Sequence, residues 1–223
     1  MSAPFAPHRI TVVVTATDGL GDAASRERVL TAAAGVVGVE RLRLGHEVNG
    51  RPHVFGLGGG THVSLSHGRG VAALALTGLG PLGVDVEVDR PVPALRMAER
   101  WFTESEAAWV RRRGEAERTS AFFWLWTHKE AMGKAYGTGL GRGGLARPAP
   151  LPDRWPLPDR WAPPDRWPVR GAAGETRLFP LPDRPEVAVA APPVRPGVLL
   201  AVAVLGRHAR GAPVDVHMRP PPV

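Results

Sequence analysis

From Arg147 to Pro168 this chain carries proline so densely that neither a helix nor a paired strand can form there. Pro-Asp-Arg-Trp recurs at 152–155, 158–161 and 164–167, a six-residue period, and Pro182-Asp183-Arg184 is a shortened echo. Six residues are too few for a solenoid unit, so the stretch reads as an extended surface insert over 147–186. Three of the seven tryptophans lie in it. Inert repeat expansion is the simpler reading and a docking role the alternative. Regular structure must therefore come from residues 1–146 and from two apolar runs after the insert, Val187–Ala191 and Val198–Leu205. The tail from Arg219 to Val223 should be frayed.

Before the insert, strand and helix signals are mixed. Ile10–Thr17 reads as a strand and Asp22–Val37 as a helix. Val39–Val48 reads as a strand and turn, and Asn49-Gly50 as a turn. Gly56–Gly60 is a loop without the helix and lysine of a phosphate-binding loop. Val63–Leu65 and Val71–Thr77 read as paired strands separated by a Ser66-His67-Gly68 turn, and Gly83–Val88 as a third strand. Pro93–Phe102 and Ser105–Arg113 read as helices, the second with Thr103 and Glu106 as a capping box. Thr119–Tyr136 is the strongest helical pattern, with Gly137 as its stop.

Of the 28 basic residues only Lys129 and Lys134 are lysine, and both stand in Trp126-Thr127-His128-Lys129-Glu130-Ala131-Met132-Gly133-Lys134. Arginine meets the chain's general need for positive charge, so this segment calls for a compact ammonium rather than a planar fork. Glu130 and Lys134 share a helix face, which alone suits an ordinary stabilising pair. Phe123, Trp126 and Thr127 adjoin that face, however, and a carboxylate at the edge of a core needs a partner. In Gly83-Val84-Asp85-Val86-Glu87-Val88-Asp89, alternation sends the valines to one side and the carboxylates to the other. A wet strand face rarely uses three acids. Asp85 and Glu87 are close enough to repel unless a hard divalent cation lies between them. Asp89, beside Arg90-Pro91, carries less of that argument. Ser66-His67 reads either as a structural turn or as a phosphate contact.

There is no cysteine, which excludes disulfides and thiolate chemistry. The apolar run Ile10–Ala16 is too short for a membrane span and precedes no cleavage pattern, so the chain reads as cytoplasmic and free of membrane. A net charge of +7 favours anionic partners. Scattered arginines, with Arg111-Arg112-Arg113 the one dense run, argue against nucleic acid.

Taken in order, Gly50-Arg51-Pro52, Ser66-His67, Gly83-Val84-Asp85-Val86-Glu87, Arg100-Trp101-Phe102 through Glu106, and Trp126 through Gly137 resemble the motif series of the surfactin-type 4′-phosphopantetheinyl transferases. The resemblance covers roughly residues 49–140. It implies an α+β fold of two similar lobes in a pseudo-twofold arrangement, with the active site between them. Residues 1–82 would form the N-terminal lobe, 83–146 the motif-bearing part of the C-terminal lobe, and 187–223 its closing strands. It also implies a reaction: the 4′-phosphopantetheine arm of coenzyme A moves to a serine of an apo acyl or peptidyl carrier protein, leaving 3′,5′-ADP. Asp85, Glu87 and Glu130 would hold Mg²⁺, with Glu130 also the base. Lys134 would steady the pyrophosphate, and Lys129 would contact phosphate or orient Glu130. His67, Ser66 and Arg51 would bind coenzyme A phosphates, with Arg26, Arg28 and Arg43 as candidates for its 3′-phosphate. A monomer suffices for two lobes on one chain. The competing readings are a Mg²⁺-dependent nucleotide phosphohydrolase and an inactive carrier-binding module.

Overall fold

A computed structural model describes residues 5–48, 50–141, 143–152 and 176–219. All but the first proline of the Pro-Asp-Arg-Trp repeats, and the tail beyond Arg219, lie outside the described residues. The chain is α+β. Its elements run β1 (Ile10–Ala16), α1 (Asp22–Val37), β2 (Arg43–His46), β3 (Pro52–Phe55), β4 (His62–Gly68), β5 (Val71–Thr77) and β6 (Leu82–Val88). Helices α2 (Ala94–Trp101), α3 (Glu104–Arg111) and α4 (Glu115–Tyr136) follow. Then come β7 (Thr176–Arg177), β8 (Phe179–Leu181), β9 (Arg184–Ala190), β10 (Val198–Leu205) and β11 (Pro213–Arg219).

Two sheets carry the architecture, one ordered β4-β5-β1-β11-β7 and the other β6-β10-β9-β8, with β2-β3 a separate hairpin. The last strand, β11, runs parallel to β1 and so belongs to the first sheet. Alternate residues of both sheets, among them Val12, Val14, Ala73, Val84, Val86, Leu200 and Val202, meet in one shared apolar cluster. The other face of the first sheet packs Val13, Leu74 and Leu76 against Val29, Leu30 and Ala33 of α1. The other face of the second packs Ala201, Ala203 and Val189 against α2, α3 and α4. Strands β5 and β10 are covered on both faces, which is why VAALALT and most of VLLAVAVL read as unbroken apolar runs.

Two local features differ from the sequence reading and one bears it out. Ser66, His67 and Gly68 are not a turn: β4 continues through them, paired with Ala73, Ala72 and Val71. The reversal is the two-residue Arg69-Gly70, where Gly70 takes φ +67. Helix α4 starts at Glu115, capped at Gly114, because its first turn is acidic and exposed and shows no apolar period. The predicted capping box forms as expected, Glu106 N–H donating to Thr103 Oγ1 at 3.3 Å and Thr103 N–H to Glu106 Oε2 at 2.9 Å.

The two sheets meet along β4 and β6 through side chains. Val84 N–H donates to Ser64 Oγ at 3.0 Å and Val86 N–H to Ser66 Oγ at 3.3 Å. Two small hydroxyls thus satisfy edge amides of β6 where a ladder would otherwise be needed. On the opposite face α4 lies against β6 at Gly83. A Cβ there would fall 1.9 Å from Ala131 O and 2.7 Å from Ala135 N.

Gly83→Ala must push α4 off its strand, and we expect a loss of about 1–3 kcal/mol. Gly58→Ala, with nothing within 4 Å of its Cβ, should be neutral. Urea midpoints at unchanged m-value check both. A second expectation concerns His128, buried in α4 with Nδ1 2.7 Å from Trp124 O. Burial lowers its pKa from 6.5 to about 4. The unfolded chain therefore binds this proton first, and stability falls as pH drops from 6.5 towards 4. The full loss is about 3 kcal/mol, and His128→Gln should flatten that part of the pH–stability curve.

Candidate active site

A cleft of about 360 Å³ opens where the β2-β3 hairpin, β4, the start of β6 and the C-terminal end of α4 converge. Arg51, Ser66, His67 and Lys134 all line it, so four of the residues singled out in the sequence meet in one place. Arg26, His46 and His62 line it as well.

Behind two of its lining residues, Ser66 and Lys134, lies Asp85, which is 6 % exposed. Its Oδ1 accepts from Ser66 Oγ at 2.7 Å and from Lys134 Nζ at 2.8 Å. Lys134 also donates to Val84 O at 2.9 Å. Oδ2 is buried with no hydrogen-bond partner among the described residues. Burial pushes the Asp85 carboxyl up, and the Lys134 ammonium and the Ser66 hydroxyl pull it partly back. Glu87, two residues on, pairs with Arg90 at 2.8 Å; burial raises its pKa against that guanidinium. Glu130 is raised first by burial and then by the charge of Asp85, with Lys134 opposing and Glu87 adding. The three carboxylates therefore feel one another across the β6–α4 junction.

An all-oxygen set in which Asp85 raises both glutamates and Glu87 raises Glu130, with one buried Asp85 oxygen unpartnered among the described residues, fits the chemistry of a hard cation. Glu87 is turned to Arg90, however, and among the described residues no three His, Asp or Glu side chains form a group that could hold a metal.

Lys129 stands elsewhere. Its side chain is 0 % exposed, with Nζ 2.8 Å from Glu106 Oε1. It also donates to Leu145 O at 2.8 Å and Arg147 O at 2.6 Å. All three ammonium hydrogens are engaged, so Lys129 has none for a phosphate and does not reach Glu130. Glu106 Oε1 further accepts from Ala149 N–H at 2.8 Å, so the pair ties α3, α4 and the following loop together. The reason is angular: residues 129 and 130 are successive on a helix and face different ways.

The phosphate candidates divide similarly. His67, half exposed, lies with Nε2 3.3 Å from Asp22 Oδ1. Arg51 donates to Ala135 O at 3.3 Å and lies over Gly137, where a Cβ would meet its Nη2 at 2.7 Å. Ser66 spends its hydroxyl on Asp85 and Val86, so it holds the carboxylate in place. Of the three N-terminal arginines only Arg26 lines the cleft; Arg28 donates to Ala16 O at 3.2 Å, and Arg43 is exposed on β2. His62 was not foreseen. Burial and then Arg51 lower its pKa, with Glu47 opposing. Its signal was period-two spacing with Ser64 and Ser66, hidden by reading a turn at 66–68.

Removing Lys129 strands a buried carboxylate, so Lys129→Met should cost about 3–5 kcal/mol. Lys129→Met with Glu106→Gln should recover part of that. Lys134→Met, at a site 27 % exposed, should be milder. Denaturant titration of the four proteins, wild type included, tests this ordering, and equal losses for the two lysines would contradict it.

The family model described as the 4′-phosphopantetheinyl transferase superfamily matches residues 81–154. The chain is 33 % identical over 79 residues to the 4′-phosphopantetheinyl transferase gsp of Aneurinibacillus migulanus, covering 35 % of this chain and 32 % of that protein. It is 34 % identical over 80 residues to Sfp of Bacillus subtilis, covering 35 % and 34 %. To HetI of Nostoc sp. it is 32 % identical over 114 residues, covering 48 % of each. The aligned stretches thus span about a third to a half of the curated relatives' length. The segment that bears Asp85, Glu87, Glu130 and Lys134 is thus the part of the chain that is similar to the 4′-phosphopantetheinyl transferase superfamily.

Proposed function

We propose that the protein moves the 4′-phosphopantetheine arm of coenzyme A onto a serine of an apo acyl or peptidyl carrier protein, with Mg²⁺ as cofactor. The observation that carries this reading is the Asp85–Lys134 pair at 2.8 Å, both residues within the segment the family model matches and Lys134 lining a basic cleft. The transfer forms a bond from the serine Oγ to the β-phosphorus of coenzyme A. It breaks the bond from that phosphorus to the oxygen leaving with 3′,5′-ADP, and the serine proton passes to Glu130. Glu130 suits a base because burial and the neighbouring carboxylates lift its pKa above that of an ordinary glutamate. Two of the Lys134 hydrogens are held by Asp85 and Val84 O, which leaves the third for the pyrophosphate, where negative charge builds, in the cleft that Lys134 lines. Arg51, His67, His62 and Arg26 supply further positive or hydrogen-bonding groups along the wall for the coenzyme A phosphates.

Asp85 Oδ2, Glu87 and Glu130 would hold the Mg²⁺, with Glu87 released from Arg90. When bound, the ion would neutralise charge on the pyrophosphate oxygens. Ser66 acts here by fixing Asp85, and Lys129 by fixing the helix that carries Glu130 and Lys134. We read the two sheets, each with helices on its outer face, as two lobes in a pseudo-twofold arrangement with the cleft at their seam. The net charge of +7 suits an acidic carrier. Among the described residues no helix is long and apolar enough to cross a membrane. We read the protein as a monomer acting in the cytoplasm.

Intact-mass analysis of apo carrier proteins incubated with coenzyme A and Mg²⁺ tests the proposal. The expected result is a one-arm mass gain, abolished by chelation and reduced about 100-fold or more in Glu130→Ala. The rate should fall on acidification through a pKa above the ordinary glutamate range, because Glu130 then takes a proton and loses its base function. Coenzyme A cleavage without any carrier would favour the phosphohydrolase. Carrier binding with no mass gain would favour the docking module.

A further inference from the structure

A second cleft, of about 430 Å³, lies beyond the end of α4 and is lined by Tyr136, Gly143, Ala146, Arg147, Arg184 and Glu186. It shares no lining residue with the first. The Arg147 guanidinium lies 4.3 Å above the Tyr136 ring. Its Nη1 is buried with no hydrogen-bond partner among the described residues. A buried guanidinium N–H without an acceptor is costly, because the donor has left water and gained nothing in return. Arg184 enters the same cleft. It is the first residue of β9, presented by the Pro182-Asp183 hairpin turn, and so gives a structural context to the shortened repeat echo. Burial lowers the Arg147 pKa, the Tyr136 phenol opposes, and Arg184 adds to the lowering. An anion in the cleft would relieve the repulsion between the two guanidinium groups and, with the Arg147 side chain turned towards it, give Nη1 an acceptor.

The lining sets the kind of anion. Two guanidinium groups and the Glu186 carboxylate leave one net positive charge. Glu186 already accepts from the Tyr136 hydroxyl at 3.0 Å, so it is held in the cleft. A phosphate dianion would face that fixed negative charge with twice the penalty of a monoanion. A carboxylate matches both the net charge and the planar donor fork of arginine.

We infer that the cleft formed by Tyr136, Arg147, Arg184 and Glu186 is a second anion site, separate from the Asp85–Lys134 cleft, and that it binds a carboxylate. The ligand is either a free small carboxylate or an acidic side chain on a polypeptide.

Tyr136 is the only tyrosine in the chain, so 3-fluorotyrosine labelling of the full-length protein places a single ¹⁹F probe at the site. The probe is titrated at constant ionic strength with glutarate, with a capped glutamate-containing peptide amide, with inorganic phosphate and with chloride. We expect saturable shifts with the two carboxylates and none with chloride. Arg184→Gln should weaken binding roughly tenfold, as loss of a charged hydrogen-bond donor does. Glu186→Gln should tighten it and admit phosphate. Tighter binding of the peptide than of glutarate at equal carboxylate concentration assigns the site to a polypeptide side chain; equal binding assigns it to a free carboxylate. Equal shifts with chloride and glutarate, or unchanged affinity in Arg184→Gln, would overturn the inference. The measurement needs no transfer activity, so its failure leaves the transferase reading untouched.

Discussion

Everything at the first cleft depends on how closely α4 rides on β6. At Gly83 strand and helix touch backbone to backbone, with no room for a methyl group between them. That contact fixes the helix in both height and rotation. Along the strand Asp85 is two residues on, about 7 Å away, and along the helix Lys134 is three residues from Ala131, about 4.5 Å. A lysine stem spans the difference, so its ammonium closes on Asp85 at 2.8 Å. A larger residue at 83 would widen the gap at the carboxylates by as much as it lifted the helix. The Gly83-Val84-Asp85 order is thus one device: the glycine admits the helix and the aspartate receives its lysine.

The other side of β6 is secured differently. Ser64 and Ser66 cross from the first sheet to the amides of the second, and Ser66 passes its own hydrogen to Asp85. Asp85 is therefore held from one sheet by a hydroxyl and from a helix by an ammonium, both on Oδ1. Directing both partners to one oxygen leaves the other buried and unpartnered. A carboxylate placed for stability alone would divide its partners between its oxygens, since an unmet buried acceptor costs about 1–3 kcal/mol. The arrangement thus fixes the position of Asp85 through one oxygen and leaves the other without a partner among the described residues.

The sequence made legible what short-range periodicity controls. Asp85 and Glu87 could be placed on one strand face, and Glu130 with Lys134 on one helix face, because periods of 2 and 3.6 are local. The capping box and the Gly137 stop were legible for the same reason. Long-range pairings were not. Nothing near Val214 announces that β11 will run beside β1, and nothing near Ser66 announces that its hydroxyl will meet β6 rather than solvent. The scarcity of lysine pointed to the right segment but joined two separate needs. Lys134 and Lys129 both require a compact ammonium. Lys134 uses it at the cleft. Lys129 uses it in the core, where three acceptors surround one nitrogen and a planar guanidinium would not fit.

That second lysine links the two halves of the motif region. A buried ion pair adds little net stability, since desolvation offsets most of the attraction. What the Lys129–Glu106 pair does supply is position. Glu106 receives Ala149 N–H while Lys129 grips the carbonyls of Leu145 and Arg147, so the loop after α4 is drawn back along the helix. The loop backbone held in this way carries the Arg147 side chain over the Tyr136 ring. One helix thus serves three surfaces. Its Lys134 side faces the first cleft, its Lys129 side is bolted into the core, and its Tyr136 end forms the floor of the second cleft. A change that loosened the Lys129 anchor would disturb the second cleft directly and the first only through the helix, so the two sites share a scaffold without sharing a residue.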